Sequence, residues 1–202
     1  MAERQDVPAR QPSVVRKLIH VALSTVPVVG WRISYPAALG LVGMLLLASI
    51  LIEVARRWWP GINRLLWSLL PTTFRSWEDR RVLGSTWYSV GMAATFALWG
   101  RDVGGTSVLF LAWGDPAAEL AGRTLGRSGK RKTVAGSAGC LAACFIAGAA
   151  GIALGGLTPW AVVVGAVVAT LVERWSPPPD DNVWIPFVSG GAMAVVQWLA
   201  GG

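Results

Sequence analysis

Residues 35–52 read YPAALGLVGMLLLASILI, an 18-residue stretch without a charged side chain. Such a run approaches the length of about 20 residues that an α-helix needs to cross the apolar core of a bilayer. The whole chain of 202 residues fits the same class, with 53% hydrophobic residues and a mean hydropathy of +0.51. Only 14% of its residues are charged, against roughly a quarter in soluble domains. The composition predicts an integral membrane protein and excludes a disordered chain, while two cysteines are too few for a disulfide scaffold.

Outward from this stretch, further apolar runs predict seven membrane-spanning helices joined by polar segments. Their bounds are 18–34, 35–54, 83–100, 104–122, 134–155, 159–174 and 183–200. The first run is interrupted in its second half by Pro27, Gly30 and Arg32. We expect residues 1–15 to form a disordered cytoplasmic tail rather than a secretory signal, and residues 16–202 to form a single transmembrane domain. The predicted fold is an all-α, polytopic helical bundle.

The basic residues follow this topology. With the N-terminus in the cytoplasm, 16 of the 18 Lys and Arg residues fall on inner segments, and only Arg32 and Arg101 fall outside. This distribution is what the positive-inside rule requires, so it predicts a cytoplasmic N-terminus. It also accounts for the net charge of +7 without a nucleic-acid partner.

Two acidic residues lie within a predicted span, in the sequence GGTSVLFLAWGDPAAELAGRTLG at 104–126. The spacing of Asp115, Glu119 and Arg123 places all three on one helical face. Pro116 removes a backbone donor and disfavours helical geometry at Asp115. Because charges inside a membrane are costly, they mark functional sites by default. The alternative is a kinked helix in which Asp115 is ion-paired to a neighbouring arginine.

A glycine-punctuated basic loop, GRSGKRKT at 126–133, follows this helix. It lacks the P-loop pattern, but its glycines and cations suit phosphate oxygens. Contact with anionic lipid is the alternative. Joined to the carboxylates, the loop predicts a Mg²⁺–nucleotide site on the cytoplasmic side. Further candidates on that side are the PPPDDN turn at 177–182, the single histidine His20, and Glu53 and Glu78 beside arginines.

Six motifs in order resemble those of one enzyme family. They are RKLIH at 16–20, IEVARR at 52–57, GSTWYSVG at 84–91, GDPAAELAGRTLG at 114–126, KRKTVAGS at 130–137 and DDNVWIP at 180–186. Together they resemble the CTP-dependent lipid-alcohol kinases, which include dolichol kinase, phytol kinase and the yeast-type diacylglycerol kinase. The chain is most similar to the minimal prokaryotic form of the family. It departs from the family at Ala135, where members often carry Glu.

The resemblance implies transfer of the γ-phosphate of CTP to the hydroxyl of a membrane isoprenoid alcohol of the phytol or polyprenol type, or of diacylglycerol. It makes residues 16–202 the catalytic domain and Mg²⁺ the metal. Asp115 and Glu119 would be catalytic, and Asp115, Glu119 and Asp180 would bind the metal. The nucleotide would contact Arg123, Gly126, Lys130, Lys132, Thr133, Gly136, Asp181 and Asn182. Lys17, His20, Glu53 and Glu78 would support the site.

Two other functions remain open at this stage. A phosphatidate cytidylyltransferase has a similar order of acidic and basic motifs and would attack the α-phosphate of CTP. A small transporter or membrane scaffold would need no catalysis, but it would need a polar path through the bilayer. Glycine-rich spans five and six could also support a homodimer.

Overall fold

The computed structural model describes residues 14–70, 73–74, 76–79, 81–126, 132–175 and 177–201. All the regular structure in these residues is helical, which confirms the all-α prediction. The elements are α1 (Val14–Ala22), α2 (Thr25–Gly30), α3 (Tyr35–Trp58), α4 (Pro60–Leu69), a 3-10 turn (Ser76–Asp79), α5 (Gly84–Thr124), α6 (Val134–Gly155), α7 (Pro159–Trp175) and α8 (Asp181–Gly201). By length and composition, α3, α6 and α8 could each cross a membrane. The number of seven spans stays a prediction.

The first predicted span, 18–34, is wrong as a single helix. The chain forms α1 and α2 instead, separated by a turn in which the Val26 N–H donates to the Leu23 carbonyl (3.1 Å). The Thr25 hydroxyl donates to the Ala22 carbonyl (2.8 Å) at the end of α1. Pro27 has no N–H to continue the α-helical ladder, so the break falls just before it. As a result, α1 is a separate helix of nine residues.

Helix α5 is a helical hairpin rather than one straight rod. Its 41 residues are interrupted at Gly100, which adopts φ 76° and ψ 174°, a conformation that suits glycine. Beyond the turn, Gly104 packs so closely on the first arm that a Cβ there would lie 2.7 Å from the Thr95 carbonyl oxygen. The arms, 84–99 and 101–124, match the predicted spans 83–100 and 104–122 within a few residues. The hairpin brings Gly84 and Asp115 to the same end of the bundle.

The second arm of α5 forms the centre of the fold. Residues 103–112 are all buried, and α6, α7 and α8 pack around this arm. Small residues permit the close packing: a Cβ on Gly148 would lie 2.3 Å from Val162 Cγ1, and one on Gly165 would lie 2.4 Å from Met193 Cγ. A carboxylate on this arm is therefore held by a rigid, well-packed element.

The segment between α3 and α5 contains additional helix. Helix α3 continues to Trp58, and α4 follows it directly. No residue of α4 is buried. Its contacts with the rest of this segment include a hydrogen bond from Asn63 Nδ2 to Asp79 Oδ1 (2.8 Å) and a ring contact between Trp67 and Phe74 (5.4 Å between centroids).

Candidate active site

Charged side chains from α1 and α5 meet at one end of the bundle, which we call the polar end. Glu119 on α5 lies 3.3 Å from Lys17 Nζ and 3.7 Å from Arg16 Nη2. One turn earlier, Asp115 Oδ2 lies 3.9 Å from His20 Nδ1. The two acids therefore face the same side of α1, which confirms that they share one face of α5. Arg123, half-exposed on the next turn, lies 3.9 Å from Glu119.

The two carboxylates of α5 differ in their surroundings. Glu119 has three cations near it, from α1 and from its own helix, so its charge is largely balanced. Asp115 lies deeper, with 20% of its side chain exposed, beside His20. It also interacts electrostatically with Asp181 and with Lys132. Asp115 is thus the acid at which α1, α5, α8 and the segment before α6 converge.

A third buried carboxylate, Glu173 near the end of α7, belongs to the same cluster. It is 3% exposed and accepts a hydrogen bond from the Lys132 ammonium group. It interacts electrostatically with both Asp115 and Asp181. Lys132 also lies 3.9 Å from Asp181 Oδ2. The sequence analysis missed Glu173, although an acidic residue at the end of a predicted apolar span was the signal that could have found it.

The two adjacent acids at the start of α8 have different contacts. Asp181 faces Lys132, whereas Asp180 Oδ1 accepts a hydrogen bond from the Asn182 N–H (3.0 Å). The buried Asn182 donates from Nδ2 to the Gly84 carbonyl (3.1 Å), and Glu78 accepts a hydrogen bond from the Gly84 N–H (2.9 Å). These bonds fix the start of α8 against the start of α5. Asp181 also interacts electrostatically with Asp115.

The predicted nucleotide contacts Gly126, Thr133 and Gly136 form a tight junction between α5 and α6. Thr133 caps α6, because its hydroxyl accepts a hydrogen bond from the Gly136 N–H (3.0 Å). A Cβ on Gly126 would lie 2.2 Å from the Gly122 carbonyl oxygen, and one on Gly136 would lie 2.8 Å from the Ala118 carbonyl oxygen. These contacts give the junction a packing role, and nucleotide binding there stays a prediction. The predicted nucleotide contact Lys130 lies outside the described residues.

Glu53 forms a neighbouring cluster that braces the turn before α5. It accepts hydrogen bonds from Arg56, from Arg57 (2.8 Å) and from the Leu83 N–H (3.2 Å). The buried Arg56 also donates to the carbonyls of Asp79 and Arg81. The bonds of Arg56 and of the Leu83 N–H join α3 to the turn before α5, whereas Arg57 bonds to Glu53 within α3. These contacts give Glu53 a structural role.

The carboxylates of the polar end are the described groups that could contribute to a Mg²⁺ site. Among the described residues, no group of three His, Cys, Asp or Glu side chains could hold a metal ion. Mg²⁺ in phosphoryl-transfer sites usually takes only one or two protein carboxylates and completes its shell with waters and phosphate oxygens. Asp115 and Asp181, which interact electrostatically, are the two carboxylates that could contribute to such a shell.

Comparison with known proteins gives two curated relatives. The protein named CTP-dependent diacylglycerol kinase 1 in Eremothecium gossypii is 32% identical over 110 residues, which cover 52% of this chain and 33% of the relative. The protein of the same name in Saccharomyces cerevisiae is 30% identical over 91 residues, which cover 43% of this chain and 31% of the relative.

These relatives confirm the resemblance stated from the motifs. Over the matched residues, the chain is similar to proteins named as CTP-dependent diacylglycerol kinases. It spans about a third of the length of the curated relatives it matches. No family model matches the sequence, and no solved structure matches it. The similarity therefore rests on the matched half of the chain. That this chain has a kinase activity is a proposal.

Proposed function

We propose that this protein transfers the γ-phosphate of CTP to the hydroxyl group of a membrane lipid alcohol. The observation that carries the proposal is the convergence on Asp115 of cations from α1 and of Lys132, in a chain related to CTP-dependent diacylglycerol kinases. Phosphoryl transfer passes through a loose transition state that requires alignment and charge neutralisation more than covalent chemistry from the protein. The polar end offers both.

Each group at the polar end has a distinct role in this proposal. Lys132, held by Glu173 and facing Asp181, neutralises charge on the phosphates of the nucleotide. Arg16 and Lys17, held by Glu119, extend the positive surface on the α1 side. Mg²⁺ bound with the nucleotide would be held by Asp115 and Asp181 and would neutralise further phosphate charge. Asp115, on an apolar helix, would be the acid nearest to the hydroxyl of a lipid acceptor.

The acceptor is a lipid whose hydroxyl can reach this depth. Diacylglycerol is the first candidate, because the relatives' names specify it. Phytol and polyprenols are alternative acceptors, since added methylenes in an apolar pocket change binding only modestly. The distribution of Lys and Arg supports a polar end that faces the cytoplasm, where CTP is available. Dimerisation through the glycine-rich helices is a further proposal.

The deciding experiment uses purified protein with CTP labelled at either the α or the γ phosphate. The acceptors are diacylglycerol, phytol and a polyprenol, each in mixed micelles with Mg²⁺. Label that enters lipid only from the γ position supports the kinase. Label from the α position, with release of pyrophosphate, would indicate a cytidylyltransferase. Folded protein that transfers neither label would favour the transporter or scaffold.

A further inference from the structure

Tyr88 is a buried tyrosine at the polar end that has no role in the proposal above. It lies on the first arm of α5, within the motif GSTWYSVG, and is 1% exposed. It belongs to the apolar core of the bundle, and its hydroxyl has no hydrogen-bond partner within the described residues. A buried hydroxyl without a partner is unfavourable. The hydroxyl therefore does not explain why an aromatic ring occupies this position.

The ring of Tyr88 contacts the ring of His20 edge to face. Their centroids are 5.1 Å apart, and the ring planes meet at 65°. This arrangement is one of the two that aromatic pairs prefer. His20 is itself buried, and its Nδ1 lies 3.9 Å from Asp115 Oδ2. The three side chains thus form a row in which His20 stands between Tyr88 and the acid at the centre of the site.

The short helix α1 makes this contact important. With nine residues it has little stability of its own. Arg16 and Lys17 fix its outer turn through partly exposed ion pairs with Glu119, and such pairs hold side chains only weakly. The contact between Tyr88 and His20 fixes the next turn, and it is buried. It is therefore better able than the ion pairs to determine where His20 sits.

We propose that Tyr88 is a positioning residue, whose ring holds His20 against Asp115 in the geometry required for phosphoryl transfer. The inference rests on the proposed function, and it assigns the effect to the ring rather than to the hydroxyl. A positioning role predicts a loss of turnover without a matching loss of nucleotide binding. It also predicts that the loss disappears when His20 is absent.

The kinetic test uses Tyr88→Leu, Tyr88→Phe and a matched control, Phe96→Leu. Phe96 is a fully buried aromatic residue on the same arm of α5, and its ring packs near Gly30. We expect Tyr88→Leu to lower kcat about tenfold or more while KM for CTP changes less than about threefold. Tyr88→Phe keeps the ring and should retain kcat within about threefold, as should Phe96→Leu.

A double-mutant cycle with His20→Asn tests whether Tyr88 acts through His20. In that background, Tyr88→Leu should lower kcat by less than about twofold further. Equal losses in both backgrounds would show that Tyr88 acts independently of His20 and would overturn the inference. A loss of kcat in Tyr88→Phe as large as in Tyr88→Leu would overturn it as well. So would a kcat loss in Phe96→Leu equal to that in Tyr88→Leu, because core packing alone would then explain both.

A second readout does not depend on catalysis. His20 is the single histidine of the chain, so protein labelled with ¹³C-histidine gives one set of ring resonances. Tyr88→Leu should shift these resonances by removing the neighbouring ring, whereas Tyr88→Phe and Phe96→Leu should leave them nearly unchanged. Wild-type protein that transfers no γ-phosphate would overturn the proposed function. Unchanged His20 resonances in Tyr88→Leu would overturn the contact itself, whatever the activity.

Discussion

Replacing Asp115 with asparagine separates a catalytic acid from a structural one. The substitution keeps the size of the side chain and removes one negative charge. Three carboxylates, those of Asp115, Glu173 and Asp181, interact with one another at the polar end. Removing one relieves their mutual repulsion but weakens the attraction of Asp115 for His20 and Lys132. The catalytic and structural interpretations differ in which of these effects governs the outcome.

The size of the expected change in stability follows from the geometry around Asp115. At 3.9 Å, a charged His20 would attract the carboxylate by about 4 kcal/mol at an effective dielectric constant near 20. Repulsion from two neighbouring carboxylates opposes that attraction, so we expect the free energy of unfolding to change by no more than about 1–2 kcal/mol. For a chain of this size, such a change moves Tm by roughly 2–8 °C. Transfer of the γ-phosphate should fall at least about 100-fold, because loss of one preorganised charge typically costs that much.

The assay measures transfer from γ-labelled CTP to diacylglycerol, with the melting temperature in detergent taken from the same preparation. Asp102→Asn is the matched control, because Asp102 lies on the same arm of α5 at the opposite end and pairs with Arg101 at 3.2 Å. The control should keep full activity. A folded Asp115→Asn protein with near-normal turnover would refute the assignment of Asp115 to the site. A large drop in the Tm of Asp115→Asn, with a loss of turnover no larger than the loss of folded protein, would point to a structural ion pair instead.

Three further predictions follow from the packing and the charges. Glu173→Gln removes the carboxylate that holds the partly exposed Lys132, so KM for CTP should rise about tenfold in steady-state kinetics, with a stability loss of about 1–3 kcal/mol in thermal melts. Gly91→Ala should cost about 1–3 kcal/mol in the same melts, because its Cβ would lie 2.6 Å from a backbone oxygen of α8. Gly43→Ala, which has open space around it within α3, should not lower Tm, because alanine favours a helix more than glycine does. Helix α8 begins at the polar end and ends at Gly201. If the polar end faces the cytoplasm, a cysteine at Gly201 should react with an impermeant thiol reagent added outside intact cells, and protection there would contradict that orientation.

The helices of the centre of the fold could be predicted from the sequence because each is a long apolar run. The pair of spans at 83–100 and 104–122 was placed within a few residues, since Arg101 and Asp102 interrupt the hydrophobic pattern where the hairpin turns. The first span could not be placed in the same way. Its apolar residues continue up to and beyond the break at residues 23–24, and hydropathy does not distinguish one helix from two short ones.

The shared face of Asp115 and Glu119 was also predictable, because it depends only on helical spacing. Their partners were not, because pairing across helices depends on packing that no local pattern encodes. Glu173 stands beside Arg174 in sequence, yet it binds Lys132, which lies 41 residues away. In the sequence, nothing distinguishes Tyr88 from the other aromatic residues of the predicted spans. Its ring contact with His20 depends on the packing of α1 against α5.

The placement of charge along the bundle bears on the choice between an enzyme and a transport path. In the part of the chain that the structure describes, Asp115, Glu173 and Asp181 all lie with Lys132 at the polar end. Beyond Asp115, the central arm of α5 runs through ten buried residues, 103–112, of which only two carry a side-chain hydroxyl. Both of those hydroxyls donate to carbonyls of the same helix. A path for polar cargo would need further polar groups at that depth. This distribution of charged side chains therefore fits the proposed site, which is entered from one face of the membrane. An apolar acceptor would approach from the lipid and a charged nucleotide from the water.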